Sequence, residues 1–441
     1  MARRREERWV GMVVIGLVLG LGGPGGTGCS SASAGDKGRQ AARATPAVAA
    51  AWKVGTPIVT YWSGPAMGDA TARQMAEGGW NLVWCRENEL DVAQRHGLRA
   101  MLRDDLLAPA ALDNPTQREK LDALVARVRK HPAMYCYFIT DEPAAGAFPA
   151  LGKLVAHLRQ RDPAHMAYIN LFPTYASNEQ LGTKGDTVAA YKEHLRQYVE
   201  VVKPSLVSYD HYQFAKDGDT AAYFLNLAMI RRASQDAGVP FLNIVQACTW
   251  TPAMRVPVGD EVRYLVYTSL AYGAQGISYY VYCASGHTGG IALADGTPTP
   301  LYQVLKPVNR QFAAIAGQVQ PLSSLGVYHA GMMPPGAEPL PKDAPFRFDP
   351  PVAPMPYKPP ERVRGMLLGL FGPAAGPGKP AAPTHVVVVN LDYKAEAARA
   401  VIGPGTLELF DADARTWSPA GAGRVEIRLE RGGGKLVRVK H

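Results

Sequence analysis

"KLDALVARVRKHPAMYCYFITDEP", residues 120–143, contains one complete unit of the pattern that decides the fold. Leu121, Leu124, Val125 and Val128 recur at helical spacing and place an apolar stripe on one face of a helix. Arg129, Lys130 and His131 then lead into Pro132, and proline cannot continue the helical ladder, so the helix stops there. "MYCYFIT" is a near-continuous aromatic and β-branched run, the pattern of a strand buried on both faces of a parallel sheet. The strand ends on adjacent acids, Asp141 and Glu142, followed by Pro143.

Working outward, the same unit recurs from Thr56. Strands are predicted at "PIVTYW", "WNLVWC", "LRAMLRD", "MYCYFIT", "MAYINLF", "SLVSYD", "FLNIVQA" and "ISYYVYC". Amphipathic helices lie between them, with Leu151, Leu154, Val155 and Leu158 on one face of a helix, and Leu195, Tyr198, Val199 and Val202 on one face of another. Several end in a basic residue and then proline or glycine, as in "RDPAHMAY" and "HGLRAML". Eight strands alternating with eight helices predict an α/β fold, a (β/α)8 TIM barrel. A doubly wound open sheet is the alternative, and the chain lacks the GxGxxG turn that would favour it. After Leu322 come Pro/Gly-rich loops and short strands such as "THVVVVNLDY" and "VEIRLE", which predict a small antiparallel β domain of sandwich type. The expected organisation is a signal segment at 1–29, a flexible linker at 30–52, the barrel at 53–322 and the β domain at 323–441.

The N-terminus reads as an export signal. "MARRREERW" is basic, "VGMVVIGLVLGLGG" is a short apolar run, and small residues precede Cys29. That segment resembles a bacterial lipobox, with Gly26 where leucine is usual, and the resemblance implies lipidation of Cys29 and a place in the cell envelope or periplasm. Plain secretion and a retained membrane anchor are the other readings. The net charge of +9 is spread without a Lys/Arg block, which argues against nucleic-acid binding. Cys85, Cys136, Cys248 and Cys283 have no metal-ligand spacing and read as buried thiols, with a Cys248–Cys283 disulfide as a further possibility. Histidines are few and dispersed, so no metal or other cofactor is expected.

In such barrels the reactive groups lie at the C-terminal ends of the strands. The candidates in chain order are Trp62, Arg86, Glu87, Asp141, Glu142, Asn170, Tyr209, Asp210, Tyr212, Gln246, Trp250 and Tyr280. Aromatic faces stack on sugar rings, amides and carboxylates bind hydroxyls, and paired carboxylates perform acid/base work at an anomeric carbon, so the mixture suits a carbohydrate. Arg86 is a candidate for a substrate carboxylate or a partner of Glu87. Packing is the ordinary role of a tryptophan, and capping a loop that of a strand-end acid.

The export signal, the barrel, "TDEP" after strand four and the C-terminal β domain together resemble the barrel glycoside hydrolases of the large retaining clan that includes β-galactosidases and cellulases. In that clan Asn-Glu ends strand four, and the resemblance makes Glu142 the acid/base, with Asp141 in place of the asparagine. The clan's nucleophile is a glutamate ending strand seven, where this chain has Gln246. "VSYDHY" on strand six also resembles the Tyr-Asp motif of family 18 chitinases, and Asp210 is the candidate second carboxylate. The expected activity is hydrolysis of glycosidic bonds in an oligo- or polysaccharide. The alternative is a non-catalytic carbohydrate-binding envelope protein on the same scaffold.

Overall fold

The computed structural model describes residues 55–374 and 381–440, so Cys29 and the expected signal and linker lie outside the described residues. Eight parallel strands form the barrel sheet: β1 (Ile58–Trp62), β2 (Leu82–Cys85), β3 (Arg99–Leu102), β4 (Met134–Asp141), β5 (Met166–Leu171), β6 (Val207–His211), β7 (Phe241–Gln246) and β8 (Gly276–Tyr280). Each is followed by a helix: α1 (Asp69–Glu77), α2 (Leu90–Arg95), α3 (Pro115–Val128), α4 (Phe148–Arg161), α5 (Thr187–Gln197), α6 (Tyr223–Ala237), α7 (Gly259–Tyr272) and α8 (Pro300–Val319). The pairing order runs β1-β8-β7-β6-β5-β4-β3-β2. The fold is the expected TIM barrel.

A side chain stitches the closing seam between β1 and β2. Asn81 donates its backbone N–H to the Val59 carbonyl at 3.0 Å. Its side-chain Oδ1 accepts from Val59 N–H at 2.9 Å, and its Nδ2 donates to the Pro57 carbonyl at 2.9 Å. The asparagine amide thus substitutes for a backbone ladder where the strands diverge.

Helix α3 shows how local sequence builds the layer. Asn114 caps it, with Oδ1 accepting from Thr116 and Gln117 N–H, and Pro115 occupies the first turn, where its missing N–H costs nothing. The stripe of Leu121, Leu124, Val125 and Val128 is buried as expected.

The pleat sorts strand residues by face. Leu82, Met101, Cys136, Met166, Tyr168, Leu242 and Ile244 fill the barrel interior. Tyr61, Val83, Leu102, Tyr137, Tyr209, Val245 and Tyr279 pack outward in the core shared with the helices.

Strand β4 interrupts that alternation. Phe138 pairs with Tyr168, but Thr140 pairs with Ile169 and Asp141 with Asn170, leaving Ile139 as an extra residue. Strict alternation from the inward Phe138 would send Asp141 out toward the helices. The bulge reverses the parity and brings Asp141 into register with the inward Asn170.

Beyond the barrel, β9 (Ser323–Gly331), β10 (Arg347–Asp349), β11 (Gly365–Gly372), β12 (His385–Asn390), β13 (Ala397–Asp411), β14 (Thr416–Leu429) and β15 (Gly434–Val439) are all antiparallel. Their hydrogen bonds connect them in the order β9-β11-β12-β15-β13-β10, with β14 on β13. One continuous hydrogen-bonded sheet forms, because the long β13 pairs with several neighbours along its length. Leu367, Phe371, Val387 and Leu436 face the barrel core, while Leu368, Leu370, Val388 and Val437 join a second core. Helix α7 abuts β11 so closely that a Cβ on Gly369 would lie 2.1 Å from the Ala271 carbonyl oxygen. Tyr393 Oη also donates to both Asp219 oxygens, at 2.9 and 3.0 Å, tying the β domain to the loop after β6.

Candidate active site

Three carboxyl groups meet at the mouth of the barrel, held by Asn170 near the end of β5. Asn170 Nδ2 donates to Asp141 Oδ1 at 3.0 Å and to Asp210 Oδ1 at 2.9 Å. The orientation of that amide is fixed from below. Ser208 Oγ donates to Asn170 Oδ1 at 3.0 Å, which leaves the Tyr168 hydroxyl to donate to Ser208 Oγ at 2.7 Å. The relay Tyr168 → Ser208 → Asn170 therefore aims both amide hydrogens at the acids. Two oxygens bonded to one nitrogen lie no more than about 6 Å apart, within the range of paired carboxylates in glycosidases.

Glu142 sits just beyond β4. Its N–H donates to the Asn170 carbonyl at 2.9 Å, extending the ladder by one residue. Its φ of +44° is left-handed, an unfavourable conformation for a glutamate and one that concentrates at functional sites. The turn lets two successive residues, Asp141 and Glu142, face the mouth. The Glu142 and Asp210 carboxyls lie near enough to interact, and the interaction raises Glu142 and lowers Asp210, which favours the proton on Glu142. Asp210 is 2% exposed, and its Oδ2 has no hydrogen-bond partner among the described residues.

The electrostatics follow. Burial raises the pKa of Glu142, and the charges of Asp210 and Asp141 raise it further. Burial and the Asp141 charge raise Asp210, opposed by its bond to Asn170 and its interaction with Glu142. Burial raises Asp141 and Asn170 opposes it, and its side chain reaches solvent, which relieves part of that push. The upward order is Glu142, then Asp210, then Asp141. Glu142 is thus the last to lose its proton and Asp141 the first to ionise, a separation suited to acid/base chemistry.

Two aromatic clusters flank the acids. Trp62 packs edge-on against Trp84 (centroids 4.9 Å, 81°) and Phe138 (5.5 Å, 70°). Across the mouth Trp250 meets Tyr212 at 4.7 Å and Tyr280 at 4.9 Å, and Tyr280 Oη bonds His287 Nε2 at 3.0 Å. A hollow of about 320 Å³ opens beside Trp250, lined by Thr249, Thr251, Pro252, Met254, Gly286 and Thr288.

The structure brings Asp141, Glu142, Asn170 and Asp210 together, and Tyr212, Trp250 and Tyr280 into one cluster. Other candidates lie elsewhere. Tyr209 is 0% exposed and packs in the outward core, because the pleat that turns Asp210 inward turns its neighbour outward. Gln246 is also fully buried: its Oε1 accepts from Phe214 N–H, and its Nε2 donates to the Phe214, Cys248 and Arg255 carbonyls. It clamps two loops and has no group left for a substrate. Glu87 is taken by Arg127 of α3, whose Nε and Nη2 donate at 2.6 and 2.9 Å. Asn170 holds the acids with the hydrogens expected to bind substrate. Cys248 and Cys283 are free thiols, so the further disulfide is not formed. Arg86 is exposed at the rim.

Sequence reasoning missed Ser208 and Tyr168, which sit two residues before Asp210 and Asn170 on the same strand faces. It also missed Tyr175, which accepts from Tyr212 N–H at 3.3 Å and feels the charges of Asp210 and Glu142. Among the described residues no group of three or more His, Cys, Asp or Glu side chains is arranged to hold a metal ion.

No family model matches the sequence, and no curated protein does. Solved structures do match. A GH42 β-galactosidase from G. stearothermophilus, solved as a catalytic mutant, aligns over 88% of this chain and 98% of its own, with a TM-score of 0.52 at 11% identity. A β-galactosidase from the psychrophilic Marinomonas ef1 aligns over 62% of each chain, with a TM-score of 0.43 at 11% identity. A GH27 β-L-arabinopyranosidase from Geobacillus stearothermophilus aligns over 88% of this chain and 96% of its own, with a TM-score of 0.47 at 10% identity. The chain has the fold of the TIM-barrel glycoside hydrolases, a (β/α)8 barrel followed by an antiparallel β domain.

Proposed function

We propose that this protein hydrolyses glycosidic bonds in an oligo- or polysaccharide, with Glu142 as general acid. The observation that carries the reading is the three-carboxyl cluster at the barrel mouth. Glu142 holds its proton against a buried carboxylate and delivers it to the leaving-group oxygen. Asp141, the acid that ionises first and reaches solvent, stabilises positive charge at the anomeric carbon or activates water. Asp210 is buried behind Glu142 and acts through it, so it is a positioning residue. This differs from the expectation that Asp210 itself meets the sugar, and its burial is the reason. Gln246 supplies no nucleophile, so the strand-seven glutamate of the retaining clan has no counterpart here. Trp250, Tyr212, Tyr280 and Trp62 provide ring surfaces for sugars.

The test is sugar release from a panel of polysaccharides and aryl glycosides, comparing wild type with Glu142→Gln. Release by wild type and its loss in a folded variant support the reading. The occupied Gln246 amide favours a second reading, a carbohydrate-binding protein without activity. Glycan retention on an affinity gel without release from any substrate would establish it. We also propose export and lipid anchoring at Cys29 in the cell envelope. Labelled palmitate incorporated by wild type but not by Cys29→Ala tests this, and equal labelling of both would refute it.

A further inference from the structure

We propose that the mouth recognises an acidic glycan, through a sugar carboxylate bound by Arg86 and Arg103. The proposal rests on the carbohydrate reading above and names its substrate class.

Trp84 faces the barrel interior and Cys85 faces outward, so Arg86 returns to the inner side just past β2. On the neighbouring strand Met101 is inward and Leu102 outward, so Arg103 returns to the same side just past β3. The two arginines therefore leave adjacent strands toward one part of the rim. Arg103 lies over the Trp84 ring, 4.6 Å from its centroid. Trp84 packs on Trp62 and Phe138, so the guanidinium rests on the aromatic floor of the mouth. Stacking holds the planar group while leaving its N–H edge available for a carboxylate.

Neither guanidinium has an ion-pair partner among the described residues, and the nearby acids are mostly occupied. Glu87 is held by Arg127. Glu89 accepts from the backbone N–H groups of Met67 and Arg86. Asp104 Oδ1 accepts from Leu106 N–H. Glu89 and Asp105 attract Arg103 from beyond ion-pair reach. Meanwhile burial and the charge of Arg86 both disfavour the protonated form of Arg103. Two neighbouring cations, one of them partly desolvated, form a place where an anion relieves repulsion and gains charge-assisted hydrogen bonds. Arg255 and Arg127, by contrast, each hold a carboxylate.

The experiment is affinity electrophoresis of the full chain in a polyuronate gel and in a gel of the same polymer with its carboxyl groups reduced. Four proteins are compared: wild type, Glu142→Gln, Arg86→Gln/Arg103→Gln, and Arg73→Gln/Arg118→Gln. The last pair removes the same charge from exposed helix positions and controls for attraction of a basic protein to a polyanion. The expected result is retention of wild type, Glu142→Gln and the control by the polyuronate, and at least tenfold weaker retention on carboxyl reduction. Arg86→Gln/Arg103→Gln should lose a similar factor on the native polymer and nothing on the reduced one. Equal retention on both polymers, or equal losses in the two double variants, would overturn the proposal. If neutral glycans are still cleaved in that case, the hydrolase reading stands. If no glycan is bound or cut, both fall.

Discussion

Replacing Asp210 with asparagine should make the protein more stable and less active, by amounts that depend on pH. Asp210 is raised from 3.8 to about 8 by burial and by Asp141. A carboxyl raised in the folded state favours folding most when both states are protonated, below about pH 4, and that advantage is lost as pH rises toward the folded value. At pH 7 roughly three pKa units lie between the unfolded value and the working pH, and one unit corresponds to about 1.4 kcal/mol. The proton is shared with Glu142, so about 2–4 kcal/mol is the expected gain for Asp210→Asn at neutral pH. The amide keeps the shape, accepts from Asn170, and offers Glu142 a donor in place of a competing charge. The difference in Tm between variant and wild type should be near zero at pH 4 and grow to several degrees by pH 8, read by calorimetry across that range. With its neighbour's charge removed, Glu142 should ionise at lower pH. The alkaline limb of kcat should therefore move down by at least about one unit. A variant less stable at every pH, or more stable by a pH-independent amount, would refute the shared-proton account of the site.

Gln246→Glu places a carboxylate against the Phe214, Cys248 and Arg255 carbonyls, so it should cost at least about 3 kcal/mol and create no nucleophile; urea unfolding and azide rescue of turnover check this. Asn81→Ala removes the seam bonds to Val59 and Pro57 and should cost about 1–3 kcal/mol, seen as a lower urea midpoint with unchanged slope. Trp250→Ala should raise KM or weaken glycan retention about tenfold while leaving Tm nearly unchanged, since its ring is partly exposed beside the hollow.

The barrel was legible because its strands are apolar on both faces and its helices end on explicit stops. Both signals are local, and the chain repeats them eight times. The site was legible only in part. Glu142, Asp141 and Asp210 stand at strand ends, which is information the sequence carries. Tyr209 could have been set aside by the same alternation that turns Asp210 inward. Glu87 could not, because its partner Arg127 comes from a helix 40 residues away. Gln246 ends strand seven as expected, but its role depends on carbonyls in two loops whose approach no local pattern announces. Asn170 was found for its chemistry, and its partners reassign it from binding sugar to holding acids.

The extra residue in β4 makes the position of one reactive group a matter of counting. A β-strand has only two orientations to offer, and an inserted residue exchanges them for everything downstream unless a bulge absorbs it. With Ile139 present, the acid that follows two residues later is a mouth residue. Laid out in strict alternation without the bulge, the same aspartate would be pressed among the aliphatic side chains behind the barrel wall, although no chemical group had been altered. The strand therefore acts as a two-position selector set by the bulge.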